Sequence, residues 1–174
     1  MSFTKPMDAL TIDIRPAEPD DTWQVAQTHR LSWEGAYNGM LPHKSLREMF
    51  ERRNANWWER AIKGSANVLV LDVGNVIAGY TTLGVNRVKE LSQQGEIYEL
   101  YLRPEFQGVG LGQKLFTESR RFLNGLGHQG CVVWSLDDNL GAKQFYKAMG
   151  GQKVAAGHET FDGKRFAKIA YGWS

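Results

Sequence analysis

The sequence has few of the features that would tie a protein to an oxidising compartment, a membrane or a metal. Its single cysteine, Cys131, cannot form an internal disulfide. No apolar run approaches the roughly 20 residues that a membrane-spanning helix needs, and the N-terminal stretch "MSFTKPMDALTIDIRP" lacks an apolar signal core with a small-residue cleavage site. The four histidines are far apart and lack the spacing of metal ligands. We therefore expect a soluble cytoplasmic protein that binds no metal.

The sequence also lacks an excess of charge of one sign. Lys and Arg total 21 and Asp and Glu total 19, so the formal net charge is +2, and the basic residues are spread along the chain. A nucleic-acid-binding surface needs stronger and more clustered positive charge, so we expect no nucleic-acid partner. The 174 residues show no internal repeat, which predicts one domain across residues 1–174.

The first part of the chain predicts a strand followed by helices. Residues 10–14 alternate apolar and polar side chains and precede Pro16, as in a short strand. Residues 20–33 place apolar side chains at helical spacing after two aspartates suited to a helix start. Residues 45–63 then predict one or two further helices.

From residue 67 the pattern becomes that of strands. "NVLVLDV" and "VIAGYTTLGV" are rich in β-branched residues and are separated by Gly74-Asn75, which favours a hairpin. Further strands are predicted at 96–103, 131–136, 152–156 and 165–173, with helices at about 110–126 and 139–149. This order predicts an α/β chain with a mixed sheet covered by helices and a β-α-β crossover in its second half.

The stretch "RPEFQGVGLGQKLF" joins a predicted strand to a helix and carries three alternate glycines: Gly108, Gly110 and Gly112. The backbone N–H groups of residues 107–112 lack intrahelical partners there and point along the helix dipole, so this turn can bind an anion. A Walker loop is excluded because Gly112 is followed by Gln-Lys-Leu and not by Lys-Ser or Lys-Thr. A dinucleotide fingerprint is excluded because its third glycine position holds Gln113 or Leu115.

Two motifs in sequence order carry a family resemblance. The turn has the pattern Gln-x-x-Gly-x-Gly after "LYLRPEF", and "VVWSLDDNLGAKQFYKAMGG" further on contains Asn-x-x-Ala-x-x-Phe-Tyr-x-x-x-Gly. With both motifs the chain resembles the GCN5-related N-acetyltransferase (GNAT) superfamily, closely over about residues 67–173. The first half matches loosely, with "SWEGAYNGMLP" similar to the Trp-x-x-x-Tyr-x-Gly entrance of many bacterial members. The resemblance implies a mixed α/β (α+β) sheet of about seven strands, flanked by helices, with splayed central parallel strands.

The resemblance also implies an activity. It is the transfer of an acetyl group from acetyl-CoA to a primary amine of a small molecule, an amino acid or a protein N-terminus, by direct attack in a ternary complex. Strand backbone would pair with the pantetheine arm, the glycine turn would hold the pyrophosphate, and the second motif would line the other side. The implied cofactor-binding residues are Leu100, Tyr101, Leu102, Gln107, Gly108, Val109, Gly110, Leu111, Gly112, Gln113, Asn139, Ala142 and Phe145. A sensor or partner-binding module of the same fold without catalysis is the alternative.

Three residues are the candidates for the chemistry. Tyr146 falls on the family's tyrosine, placed to hydrogen-bond the sulfur and protonate the leaving thiolate; its alternative role is packing on the sheet. The base that removes the amine proton is Glu96 or Glu99, and each has the alternative of a solvated strand carboxylate. Simple alternation sends these two glutamates to opposite faces, although a bulge would change that.

Other residues receive plainer interpretations. Trp33 and Tyr37 share one helical face and could wall the acceptor pocket, or pack in the core. Cys131 begins an apolar strand and is expected to be buried, not a nucleophile. The basic runs Arg52-Arg53 and Arg120-Arg121 are expected to be solvated, the second also being a candidate for the cofactor's 3′-phosphate. An exposed C-terminal strand, "RFAKIAYGW", would favour a homodimer.

Overall fold

The computed structural model describes residues 10–174, and the polar stretch before Leu10 lies outside them, as does most of the segment examined for a signal peptide. A mixed sheet forms the centre of the fold, with helices on both faces. The elements are β1 (Ile12–Pro16), α1 (Thr22–Tyr37), α2 (His43–Arg52), α3 (Ala55–Lys63), β2 (Asn67–Val73), β3 (Val76–Val85), β4 (Gly95–Leu102), α4 (Leu111–Gly125), β5 (Cys131–Leu136), α5 (Leu140–Ala148), β6 (Gln152–Phe161) and β7 (Lys164–Trp173). None of these helices is both long enough and apolar enough to cross a membrane.

The seven strands lie in the order β1-β2-β3-β4-β5-β7-β6. Only the central pair, β4 and β5, is parallel among the described strands, and the other pairs are antiparallel. The predicted element order and the seven-stranded mixed sheet are thus confirmed. The predicted bounds were less accurate, since α1 continues to Tyr37 and β6 continues to Phe161.

The turn between β2 and β3 shows why its sequence specifies a hairpin. Gly74 and Asn75 both have positive φ, at 56° and 70°. Two-residue hairpin turns require this left-handed backbone, which glycine and asparagine adopt most readily.

The C-terminal strand β7 is not an exposed edge, and that expectation was wrong. It is hydrogen-bonded to β5 on one side and to β6 on the other. Its backbone groups are therefore used within the sheet, and β6 is the edge strand at this end. The sequence pattern could not show this, because β7 crosses back between two strands that precede it.

The two faces of the sheet are buried by different helices. Leu69 and Ile97 pack with Phe116 of α4 and Tyr146 of α5. On the opposite face, Val25 of α1 and Trp58 of α3 pack with four residues of the sheet: Val68, Val70, Ile77 and Tyr80. Burial on both faces explains the nearly continuous apolar runs of β2 and β3. Trp58 is fully buried.

His29 lies inside the helical layer in an aromatic environment. Its side chain is 1% exposed, and its ring lies within 6.2 Å, centroid to centroid, of four others: Trp33, Phe50, Trp58 and Tyr80. Neither ring nitrogen has a hydrogen-bond partner within residues 10–174. Burial, with a smaller effect of the nearby charge of Arg53, lowers the pKa of His29 to about 3.

This lowered pKa predicts acid sensitivity. The unfolded chain, with an ordinary histidine pKa near 6.5, takes up the proton first, so stability is full above that pH and falls as the pH drops towards 3. We expect wild type to lose about 2 kcal/mol more free energy of unfolding than His29→Leu between about pH 7.5 and pH 5. Urea unfolding across this range measures the difference, with exposed His43→Leu as the control. Parallel pH profiles for wild type and His29→Leu would contradict the prediction.

Candidate active site

The central parallel strands separate part of the way along the sheet. Register pairs between β4 and β5 cover only Gly95–Ile97 and Cys131–Val133. Beyond them the facing edges of the two strands are unpaired within the described residues. The amide of Arg103 donates to the carbonyl of Ala78, so by strand alternation Leu100 and Leu102 direct their backbone groups into the gap and Tyr101 directs its own at β3.

A β-bulge in β4 sets the direction of its side chains. Thr82 of β3 pairs with Glu99 and Leu83 pairs with Ile97, which leaves Tyr98 as an extra residue on β4. Ile97 and Leu100, three residues apart, consequently pack into the same core beneath α4. Both candidate glutamates therefore turn to the other face, and the bulge removes the separation that simple alternation predicts.

Glu99 lies at the centre of a hydrogen-bond network. Its Oε1 accepts from Arg53 Nη1 at 3.0 Å and from Thr82 Oγ1 at 3.2 Å, and its Oε2 accepts from the Tyr80 hydroxyl at 2.9 Å. The Arg53 guanidinium also lies 3.9 Å from the centroid of the Trp57 ring. The Arg53 side chain is thus half-buried and paired, not fully solvated, which corrects the expectation from its basic run.

Glu96 is held by a single residue. Its Oε1 accepts from the backbone amide and Nε of Arg87, and its Oε2 accepts from Arg87 Nη2 at 2.6 Å. The Glu96 side chain is only 1% exposed. Each candidate base is therefore paired with its own arginine. Neither pairing could be predicted from the positions of these residues in the sequence.

A small cavity, here named the inner cavity, lies where β4 and β5 separate and has a volume of about 30 Å³. Its lining brings Tyr146 and Glu99 together with Tyr37. The Tyr37 hydroxyl lies 2.6 Å from that of Tyr101. Burial raises the pKa of Tyr146, so the phenol stays protonated near neutral pH.

A larger cavity, the outer cavity, adjoins the inner one and measures about 450 Å³. The two cavities share four lining residues: Tyr37, Tyr98, Trp134 and Ser135. Glu96 lines the outer cavity, whereas Glu99 lines the inner one. Trp33 lies behind Tyr37, with ring centroids 5.0 Å apart, and donates from Nε1 to the Tyr80 hydroxyl at 3.2 Å.

The three glycines of the turn have different roles. Gly108 and Gly110 have φ of 80° and 85°, and a Cβ on either would meet nothing within 4 Å. Gly112 has ordinary φ, but its Cβ would lie 3.4 Å from the Phe145 ring. The first two glycines allow the left-handed backbone beside open space, and the third allows close packing between α4 and α5.

Gly110 is the N-cap of α4 and provides no side-chain cap. The first helical bond runs from the amide of Lys114 to the carbonyl of Gly110, so the amides of residues 111–113 have no intrahelical partner. Gln107 differs from expectation, because its amide donates to the Pro104 carbonyl and its side-chain Nε2 donates to the Leu102 carbonyl. Val109 is strongly exposed at the tip of the turn.

The second motif begins α5 and positions it against the sheet. Asn139 is the N-cap, and its Oδ1 accepts from the amide of Ala142 at 3.2 Å. Ala142 and Phe145 pack against the core beside Tyr146, and Phe145 contacts the Phe116 ring edge-on. The cap and these contacts fix the side of α5 that meets the inner cavity.

Two further expectations concern cysteine and metal. Cys131 is 1% exposed, and burial raises the pKa of its thiol to about 11, so it is a buried strand residue as predicted. Nowhere in residues 10–174 do three or more His, Cys, Asp or Glu side chains come together as a metal-binding group.

A mixed sheet whose central parallel strands separate beside a glycine-capped helix N-terminus is the arrangement that the resemblance implies for acyl transfer. The chain belongs to the acetyltransferase (GNAT) family, whose sequence profile matches residues 25–150. It is therefore an acyltransferase of the N-acetyltransferase type.

Individual relatives support this assignment along nearly the whole chain. An uncharacterized N-acetyltransferase of Bacillus subtilis, YuaI, is 26% identical over 163 residues, which are 93% of this chain and 92% of the relative. A spermidine N(1)-acetyltransferase of Thermoplasma acidophilum is 25% identical over 162 residues, covering 90% of this chain and 95% of that protein.

Solved structures share the fold. The PaiA N-acetyltransferase of Thermoplasma acidophilum in complex with coenzyme A has a TM-score of 0.74 and 20% identity, covering 94% of this chain and 99% of that one. NAA60 of Arabidopsis thaliana in complex with acetyl-CoA has a TM-score of 0.71 and 16% identity, with 94% and 98% coverage.

Proposed function

We propose that the chain, as one domain, transfers an acetyl group from acetyl-CoA directly to a primary amine. The observation that carries this proposal is the inner cavity, because it places Tyr146 and Glu99 together where the central strands separate. The adjoining outer cavity offers the amine a separate route to the same point. Two substrates that approach from different sides can react without a covalent enzyme intermediate, and the buried Cys131 takes no part.

The residues around the gap fit coenzyme A. The backbone groups of Leu100 and the amide of Leu102 are directed into the gap and can pair with an extended amide-containing arm, as an added strand would. The Leu102 carbonyl already accepts from Gln107 Nε2. The amides of residues 111–113 and the open space beside Gly108 and Gly110 fit a pyrophosphate at the start of α4. Acetyl-CoA supplies a thioester whose carbonyl carbon accepts the amine.

Glu99 is the proposed proton acceptor. Primary amines have a pKa near roughly 10 and are mostly protonated at neutral pH, so a base must remove a proton before attack. Each carboxylate oxygen can accept about two hydrogen bonds, and Glu99 Oε2 accepts only that of Tyr80 within the described residues. Its remaining acceptor position is available to an amine in the inner cavity.

Tyr146 is the proposed donor to the leaving sulfur. Burial raises its pKa above the ordinary tyrosine value, and thiols have an ordinary pKa near 8.5. Full transfer of the phenolic proton to a thiolate is therefore uphill. The residue instead stabilises the developing negative charge through a hydrogen bond and remains protonated as the pH rises.

Binding and turnover measurements test the proposed function. Calorimetry with acetyl-CoA should show binding, and thiol release with a panel of amines and N-terminal peptides should show turnover with at least one of them. Binding without turnover across the panel would favour an acyl-CoA sensor. Absence of binding would refute the proposal.

The two glutamates should differ when each is replaced. We expect Glu99→Gln to lower kcat/KM about tenfold at pH 7, less than a general base usually contributes because some free amine reaches the site. The deficit should shrink towards pH 9 as more amine is deprotonated. Glu96→Gln is the matched control and should retain kcat within about twofold, because Glu96 lines the outer cavity. A larger loss of kcat in Glu96→Gln than in Glu99→Gln would assign the base to Glu96.

A further inference from the structure

Two cations of the outer cavity lie over aromatic rings that also border the inner cavity. Arg87 Cζ is 4.5 Å from the centroid of the Tyr98 ring, and Lys168 Nζ is 4.8 Å from that of the Trp134 ring. Cations on ring faces are held electrostatically and by packing. Their positive charge therefore lies on the lining of the outer cavity, beside the inner cavity.

The carboxylates beside these cations differ in exposure. Glu96 is buried beneath Arg87 and accepts hydrogen bonds from the Arg87 backbone amide, Nε and Nη2. Arg87 Nη1 makes no hydrogen bond within residues 10–174. Glu159 accepts from Lys168 Nζ at 2.8 Å and is 48% exposed. The pKa of Arg87 is raised mainly by its hydrogen bond to Glu96, with a smaller contribution from the charge of Glu159, which lies near both cations.

These charges discriminate between classes of acceptor. A polyamine would bring a second ammonium towards Arg87 and Lys168, and both carboxylates that line this cavity in the described chain are already paired. An anionic group has only to displace Glu159 from Lys168. Partly exposed ion pairs contribute little stability, and the released Glu159 can be hydrated where it lies. Lys168 Nζ and Arg87 Nη1 can then each donate a hydrogen bond to the oxygens of that anionic group.

We propose that the acceptor carries a carboxylate as well as its reacting amine, as amino acids do, and that Arg87 and Lys168 bind this carboxylate while the amine enters the inner cavity. This inference rests on the proposed function. Under this inference Arg87 and Lys168 determine the class of acceptor. The Glu159 carboxylate occupies the position on Lys168 that the acceptor's carboxylate would take. Removing Glu159 should then strengthen the binding of acid acceptors.

Matched acceptors test the proposal. The panel contains amino acids with one to five carbons between amine and carboxylate, the amide of each, the corresponding alkylamines, and spermidine. At the preferred length we expect kcat/KM for the acid to exceed that for its amide by about tenfold or more, since charged hydrogen bonds have this effect. Glu159→Gln should lower KM for the acid, and Lys168→Met should reduce the preference for acid over amide to the part that Arg87 alone contributes.

Lys164→Met is the matched control. Lys164 lies on the same strand, its Nζ is 5.1 Å from the centroid of the Phe166 ring, and it does not line the outer cavity. It should keep the acid preference of the wild type. Preference for amides, alkylamines or spermidine, or an acid preference that is unchanged in Lys168→Met, would overturn the carboxylate site alone. Failure to bind acetyl-CoA or to acetylate any amine would overturn the proposed function itself.

Discussion

Tyr146→Phe is expected to bind acetyl-CoA as tightly as the wild type and to turn over about 100-fold more slowly. The substitution removes one hydroxyl from the inner cavity and leaves the ring packed against Phe145 and Trp173. A hydrogen bond to a group that gains charge stabilises the transition state more than the ground state. The loss should therefore fall on kcat, measured by thiol release, while the dissociation constant from calorimetry stays constant.

Tyr171→Phe is the control for this prediction. Tyr171 is a buried tyrosine of the same core, with its ring centroid 6.0 Å from that of Tyr146, and it lines neither cavity. It should keep kcat close to that of the wild type. Because the raised pKa keeps Tyr146 protonated, wild-type kcat should not decline between about pH 7 and pH 9. Equal kcat in Tyr146→Phe and the wild type would remove Tyr146 from the mechanism.

The order of elements along the chain and the glycine turn were accessible from the sequence because local chemistry specifies them. Gly74-Asn75 requires a hairpin, and the turn at 107–112 has glycines where left-handed backbone or close packing demands them. The second motif adds Asn139 as a helix cap and Tyr146 seven residues later, two turns along the helix and on the same side. Patterns of this kind act within one turn or one helix.

The proposed acceptor side depends largely on contacts between distant residues, and the sequence did not show those contacts. Arg53 reaches Glu99 across 46 positions, and Lys168 and Trp134 meet only because β7 lies beside β5. The bulge at Tyr98 decides the face of both glutamates, yet neither Gly nor Pro marks it. Pairing across a sheet is set by global topology. The charge run therefore misassigned Arg53, and the pattern of the C-terminal strand did not reveal its place inside the sheet.

Gly110→Ala is expected to weaken acetyl-CoA binding by about 10- to 100-fold, the loss that follows when one hydrogen bond to a charged group is broken. Gly110 has φ of 85° and ψ of 2° at the N-cap of α4. A Cβ there would project into the open space beside amides 111–113, and the strained backbone would shift those amides. Calorimetry with acetyl-CoA and with dephospho-coenzyme A, which keeps the pyrophosphate, measures the loss and should give the same factor for both ligands.

Gly127→Ala separates strain from ligand contact. Gly127 follows α4 at its other end, has φ of 87°, and a Cβ on it would also meet nothing within 4 Å. Both alanine variants should lose a similar free energy of unfolding, about 1 to 2 kcal/mol, but Gly127→Ala should bind acetyl-CoA as the wild type does. An equal loss of affinity in both would attribute the effect to strain in α4. Unchanged affinity in Gly110→Ala would place the pyrophosphate elsewhere. The two glycines both have positive φ and open space beside them, but they lie at opposite ends of the α4 dipole, and an anion is favoured only at the N-terminal end.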